Sequence, residues 1–295
     1  MNKRYSLNEY IEIINNYLDS SIGECTFGED IVHNAMKYSL SIGGKRIRPV
    51  LVLEFCRICG GNIEDALPFA AAIEMIHTYS LIHDDLPCMD DDDMRRGMPS
   101  CHKKYGEEYA LLAGDGLLTR AFGIVAESEM AKKSPEKAVE AIRLLSSLAG
   151  VNGMIGGQVV DLRNEDKPCG LDVLQTMDSL KTGALIKCSA LLGVVVAGGT
   201  KEQKDAAISY AENLGHAFQI VDDILDVIGD EKELGKPIGS DAESNKSTYV
   251  SILGIEQSQK YADELTDKAI ASLDIFADEA DFLKKLALSL VKRKN

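Results

Sequence analysis

Hydrophobic positions along the chain recur at helical spacing. Leu7, Tyr10, Ile11, Ile14, Tyr17 and Leu18 fall on one stripe, so the first segment reads as an amphipathic helix. His33 to Leu40 reads as a second. Gly43-Gly44 breaks the pattern, and Pro49 suits the first turn of a third helix. Further apolar runs predict helices over 66–85, 110–130, 135–149, 154–161, 171–180, 184–197 and from 201, then a loop over 229–241 and helix from 247. Gly114, Gly116 and Gly123 are expected to let their helix pack closely. No strand alternation of any length appears, so the expected class is all-α, with about a dozen helices in one domain over residues 1–295.

Two of these helices carry polar stripes. In the 66–85 helix, Glu74, His77, Leu81 and Asp84 share a face with Ser80, as the wall of a cavity would. In the helix from Lys201, an apolar seam of Leu214, Phe218, Val221, Leu225 and Ile228 lies beside a small and polar one of Glu212, Gly215, Gln219, Asp222 and Asp226. Both helices end in carboxylates. Asp84 and Asp85 run on to Asp90 and three more aspartates, and Asp222, Asp223 and Asp226 form a DDxxD group.

Carboxylates this close repel one another, and a helix C-terminus is itself negative. A bound cation removes that cost, and oxygen-only donors favour Mg²⁺ or Ca²⁺. Asp222 and Asp226 are one turn apart and can share an ion. Arg95-Arg96 suit an anion held by such a metal, a diphosphate for example, because guanidinium groups fork its outer oxygens. The expectation is that the two clusters face each other across one cavity; a solvated acidic loop is the alternative at the first.

Lys45, Arg46 and Arg48 sit where the third helix begins, a place whose free N–H groups favour phosphate. A solvated basic loop is the competing reading there. His77 is either a phosphate donor or a satisfied core histidine. Gln158 and Asp161 share one helical face. Lys181-Thr182-Gly183 is either an inward anion contact or a kink with a surface lysine.

The net charge of −15 excludes nucleic acid as partner, since a phosphate backbone needs a basic surface. Seven cysteines are scattered, with one CxxC at Cys56 and Cys59 and no second pair to complete a zinc site. Buried thiols in a reducing cytoplasm are expected. The first residues lack an apolar signal core. The longest apolar run, Cys188 to Gly199, reads as too short to span a bilayer, so no membrane span is expected.

GGKRIRP at 43–49, DDxxxxD at 84–90 followed by RR, GGQxxD at 157–161, KTG at 181–183, FQxxDDxxD at 218–226 and GKxxGSD at 235–241 occur in that order. The chain so marked resembles the bacterial trans-prenyl diphosphate synthases, most closely those that make farnesyl diphosphate, over essentially its whole length. The resemblance implies mostly antiparallel helices around a deep central cavity, and a homodimer. It implies that Asp84, Asp85, Asp90, Asp222, Asp223 and Asp226 surround a Mg²⁺ cluster, three ions once substrate is bound, with direct ligation mainly by Asp84, Asp90 and Asp222.

By the same likeness Arg95, Lys181, Thr182, Gln219 and Lys236 contact the allylic diphosphate, while Gly44, Lys45, Arg48, His77 and Arg96 bind isopentenyl diphosphate. Tyr79, with Ser80 beside it, implies a blocked cavity floor and a C15 product, Tyr79 lying about 7 Å below Asp84 along the helix. A core tyrosine with a C20 product is the nearest alternative. A terpene cyclase would not need GGKRIRP, and a non-catalytic subunit would not need intact ligands in both clusters.

Overall fold

A computed structural model describes residues 3–25, 28–165, 167–228 and 247–291. The GKxxGSD motif with Lys236, the loop expected over 229–241, and Lys292-Arg293-Lys294 lie outside the described residues. The chain divides into two compact units: residues up to Arg143 with Val195–Gly198, and Leu144–Val194 with Gly199 onward. The all-helical expectation holds in each unit, apart from one short hairpin in the first.

The first unit contains α1 (Leu7–Ser21), α2 (Asp30–Ser41), α3 (Ile47–Ile58), α4 (Ile63–Asp84), α5 (Cys101–Tyr105), α6 (Glu107–Ala126), α7 (Glu129–Lys133) and most of α8 (Pro135–Ala149). A capping box of Ser6 and Glu9 starts α1, and Asn62 caps α4 by accepting from the Glu64 N–H. α4 is apolar nearly all round, which makes it a core helix rather than a surface one. It packs mainly on α6 and α3, with Phe55, Phe69, Ile73, Met75 and Ile76 fully buried.

Close packing of α6 on α4 depends on Gly114, where a Cβ would lie 2.1 Å from His83 Nε2. Gly123 meets nothing nearer than 3.5 Å, so close packing does not explain it. Buried Glu54 is satisfied by two 2.9 Å bonds from Arg57 and one from the Tyr10 hydroxyl. The CxxC pair is structural: burial pushes the Cys56 and Cys59 thiols up to about 12, so both stay protonated.

One strand pair escaped the pattern. Met94–Arg95 and Met98–Pro99 form an antiparallel hairpin, β1–β2, around Arg96-Gly97, both at positive φ (54° and 75°). That is the backbone a two-residue hairpin requires. Strands of two residues cannot show an alternation.

The second unit contains α9 (Met154–Asn164), α10 (Leu171–Asp178), a π-helical turn (Ser179–Gly183), most of α11 (Ala184–Ala197), α12 (Lys201–Ile228), α13 (Tyr249–Leu253), α14 (Ile255–Ser272), a 3-10 stretch (Asp274–Ala280) and α15 (Asp281–Val291). α12 lies along α14 over a core of Ala217, Ile220, Val221, Ile224, Tyr249, Ala262 and Leu265. Its expected apolar seam is buried at Leu214, Val221 and Leu225, half-buried at Phe218, and exposed at Ile228, the last residue of the helix.

The segments Glu107–Ala126, Pro135–Asn164 and Leu171–Ala197 are long and apolar enough to cross a bilayer, by length and composition. The π-helical turn carries α10 straight into α11, so Cys188–Gly199, which reads as too short on its own, is the end of a longer stretch. In Leu171–Ala197, 72% of the apolar window is buried inside the protein.

Candidate active site

In the first unit basic side chains cluster where the GGKRIRP loop meets α4 and the hairpin. Gly44 has φ +123°, and a Cβ there would sit 2.6 Å from the Arg96 guanidinium carbon. Arg96 in turn donates to the Gly43 carbonyl. Only glycine admits both this backbone and this approach. Arg48 Nη1 lies 3.4 Å from His77 Nε2, and Arg48 Nε is buried without a partner. Burial, then Arg48, Arg96, Arg46 and Arg95, hold His77 well below its usual range, so its imidazole is neutral.

Lys45 is exposed. Arg46, grouped with Lys45 and Arg48 as a phosphate-binding cation, turns inward instead. Its backbone is left-handed (φ 51°) and its side chain bonds Glu74 at 2.6 Å, Asn15 at 3.0 Å and the Leu40 carbonyl. Glu74, placed by its spacing on a cavity wall, is the buried counter-ion of Arg46.

The carboxylates at the end of α4 separate into two environments. Asp84 is half-buried, and the Asp90 N–H bonds back to its carbonyl at 2.8 Å, which returns Asp90 to the helix end beyond Pro87. Asp85 is buried and held by Arg95 Nε at 2.9 and 3.2 Å, while Arg95 also reaches Asp92 at 3.1 Å. Burial pushes the Asp85 carboxyl up, and the Arg95 hydrogen bond opposes it. Arg95 and Asp85 are thus committed to each other in this structure. Ser80 Oγ back-bonds to the His77 carbonyl at 3.0 Å.

Tyr79 is 5% exposed, stands edge-on to His83 at 5.7 Å, and has its hydroxyl buried without a partner.

In the second unit a cavity of about 150 Å³ is lined by Asp161, Asp178, Lys181, Thr182, Gln219 and Asp223, among others. Gly157 lets α9 approach the π-helical turn, since a Cβ there would lie 2.2 Å from the Lys181 nitrogen. One turn on, Asp161 bonds Lys181 Nζ at 2.5 Å. GGQxxD and KTG are two halves of one contact, and a π-helical turn is a common device at functional sites.

Asp223 accepts from Gln219 Nε2 at 3.1 Å and from the Tyr249 N–H at 2.8 Å, so it ties α12 to α13. Asp226 is buried and Asp222 half-buried. Asp178, not singled out from the sequence, is buried here; desolvation, then Asp223, push its carboxyl up to about 7. Its position three residues before Lys181 on one helical face was the available signal. Tyr249, whose burial beside Asp178 raises its phenol, offered none.

Within each unit the cluster, Asp84 and Asp90 in the first and Asp222 and Asp226 in the second, offers carboxylate oxygens alone, the donor chemistry that fits Mg²⁺. A family model described as polyprenyl synthetase matches residues 29–286. The chain belongs to the polyprenyl synthetase family.

Its likeness to individual polyprenyl synthetases is high at both ends of the comparison. It is 44% identical over 283 residues to the farnesyl diphosphate synthase of Escherichia coli, covering 95% of each chain. It is 43% identical over 292 residues to the geranylgeranyl diphosphate synthase of Cyanophora paradoxa, covering 98% of this chain and 96% of that one. Among solved structures, an FPP/GFPP synthase from Zymomonas mobilis superposes with a TM-score of 0.86 at 35% identity, covering 97% of both chains. This polyprenyl synthetase is a trans-prenyl diphosphate synthase. Its family condenses isopentenyl diphosphate with allylic diphosphates and generally uses Mg²⁺.

Proposed function

We propose that this synthase makes farnesyl diphosphate, adding isopentenyl diphosphate to dimethylallyl and then geranyl diphosphate. The observation that carries the C15 length is Tyr79: a bulky ring one and a half turns before Asp84, with a buried hydroxyl left unpartnered beside it. A phenol without a partner is costly inside a packed core. The cost marks a ring kept for its bulk at the level where the resemblance puts the cavity floor. A C20 product by the same mechanism is the second reading, favoured by relatives named for that product at equal identity.

The residues divide the work by charge. Arg48 and Arg96, with neutral His77 beside Arg48 and no carboxylate bonded to Arg48 among the described residues, bind and orient isopentenyl diphosphate. Lys181, held in place by Asp161, and Thr182 and Gln219 orient the allylic diphosphate; Arg95 and Lys236 belong to the same proposal. Asp84 and Asp90 in one unit and Asp222 and Asp226 in the other, with Asp85 and Asp223 beside them in sequence, would hold Mg²⁺, which would supply positive charge to diphosphate as it leaves.

As the allylic C1–O bond breaks, its electron pair leaves with diphosphate; the isopentenyl double bond then forms the new bond at C1, and the departing diphosphate takes the proton lost. No side-chain nucleophile is required. The apolar face of α4 that carries Tyr79 is proposed to keep out the water that would otherwise quench the cation. A homodimer and cytoplasmic residence complete the proposal. The exposed Leu111 and Leu112 of α6 are the apolar surface that supports the dimer.

The test is the product made from isopentenyl and dimethylallyl diphosphates with Mg²⁺, dephosphorylated and sized by gas chromatography. Farnesol from the parent, lengthened to geranylgeraniol by Tyr79→Met, is expected. Geranylgeraniol from the parent overturns the C15 length and leaves the chemistry standing.

A further inference from the structure

Beyond the carboxylates given to Mg²⁺, the loop that follows them holds three further ligand groups. Asp91, Asp93 and His102 bring one carboxylate oxygen each and an imidazole nitrogen within 4.8 Å of one another. Local folding puts them there. The β1–β2 hairpin closes its base with the Ser100 N–H on the Asp93 carbonyl at 2.9 Å, and α5 begins at the next residue. His102 is 6% exposed, and its Nδ1 lies 3.1 Å from the hydroxyl of fully buried Ser100. In the tautomer whose Nδ1–H donates to the Ser100 hydroxyl, the free lone pair is on Nε2. That atom is buried, has no hydrogen-bond partner, and lies 3.9 Å from Asp91 Oδ1.

A buried nitrogen aimed at two exposed carboxylates, with its other nitrogen fixed by a hydroxyl, is the arrangement of a metal-ligating histidine. We propose that Asp91, Asp93 and His102 form a second cation site, distinct from the Mg²⁺ carboxylates, for a borderline divalent ion such as Zn²⁺. The imidazole decides the ion class, since Mg²⁺ and Ca²⁺ take oxygen while Zn²⁺ readily takes nitrogen with carboxylates. Atoms bound to one such ion sit about 3–3.5 Å apart, given metal–ligand distances near 2 Å. The two aspartates are exposed and free to close that small remainder.

One contact competes: Lys103 Nζ holds Asp93 Oδ1 at 2.7 Å and must give way. Asp92 is already turned to Arg95. An ion here would pin the segment just after Asp90 to α5 and so limit how that segment moves. Such a site is independent of product length.

The experiment is a Zn²⁺ titration of the whole protein against a chromophoric chelator, in excess Mg²⁺ to occupy the other carboxylates. One Zn²⁺ per chain is expected, bound at least about tenfold more weakly in Asp91→Asn and in His102→Gln, and more tightly in Lys103→Ala. Asp91 is exposed, so its variant tests the site even if His102→Gln fails to fold. Asp84→Asn is expected to keep the Zn²⁺. Absence of Zn²⁺ binding in excess Mg²⁺ overturns the proposal. So does binding unchanged by Asp91→Asn, as cysteine ligation would give, or binding lost with Asp84→Asn.

Discussion

Around His77 the charged neighbours that shift it are arginines; around Asp178 the strongest is an aspartate, Asp223. Asp178 is buried and His77 half-buried, and both are driven toward their neutral form, one by losing a proton and the other by keeping it. The cause is the same. Burial penalises charge, and neighbours of one sign add to the penalty. A fold normally pairs buried charges, and elsewhere in the first unit it does, as with Arg46 on Glu74 and Arg57 on Glu54. At these two places the pairing is incomplete. The first region is short of an anion and the second of a cation, which is what a diphosphate and a hard metal ion would respectively supply.

Substitutions that remove one charge from each region are the strongest way to break that contrast. Asp222→Asn is expected to lower kcat by roughly 10²–10⁴-fold and to raise the Mg²⁺ needed for half-maximal rate, because an ionic stabiliser of the leaving group is lost. Steady-state kinetics over a Mg²⁺ series check it. Arg48→Ala is expected to act on binding instead. KM for isopentenyl diphosphate should rise by roughly 10–100-fold, the loss of one or two charge-assisted bonds, with a much smaller change in kcat. If both variants damage the same parameter, the division into an anion-binding and a cation-binding region fails.

The smallest effects lie in stability against pH, and their signs are opposite. His77 has a folded pKa below its unfolded value, so the unfolded chain takes up a proton that the native state refuses. Stability is full above about pH 6.5 and is lost as pH falls below it. His77→Gln should remove that acid-side loss. Asp178 has a folded pKa of about 7, against an ordinary 3.8. Its contribution is present at low pH and is lost as pH rises toward 7. Asp178→Asn should therefore gain stability over the parent at pH 8 and little at pH 4. Both are read from denaturant unfolding without Mg²⁺ or substrate, as the sign of the difference between parent and variant at each pH. Parallel stability curves for parent and variants would remove the electrostatic account of both pockets.

Much of the site is legible along the chain because its parts are local. Asp222 and Asp226 are one turn apart on any helix, and Asp161 and Gly157 likewise. Such spacings carry faces without knowledge of the fold. The helical class is legible for the same reason, since a repeat near 3.6 survives in every segment long enough to show it. The β1–β2 hairpin is not, being too short to show any period.

What the sequence by itself determined is the list of charged and apolar faces and the family they match. Only the tertiary structure decided which charges meet. Lys45, Arg46 and Arg48 are neighbours in sequence, yet Arg46 enters the core against Glu74, Lys45 is exposed, and Arg48 stands beside His77 with Nε unpaired. Asp84 and Asp85 likewise part, because Arg95 takes one of them. Side chains one residue apart on a helix point about 100° apart. Which of them finds a partner depends on what another element, distant in sequence, places opposite.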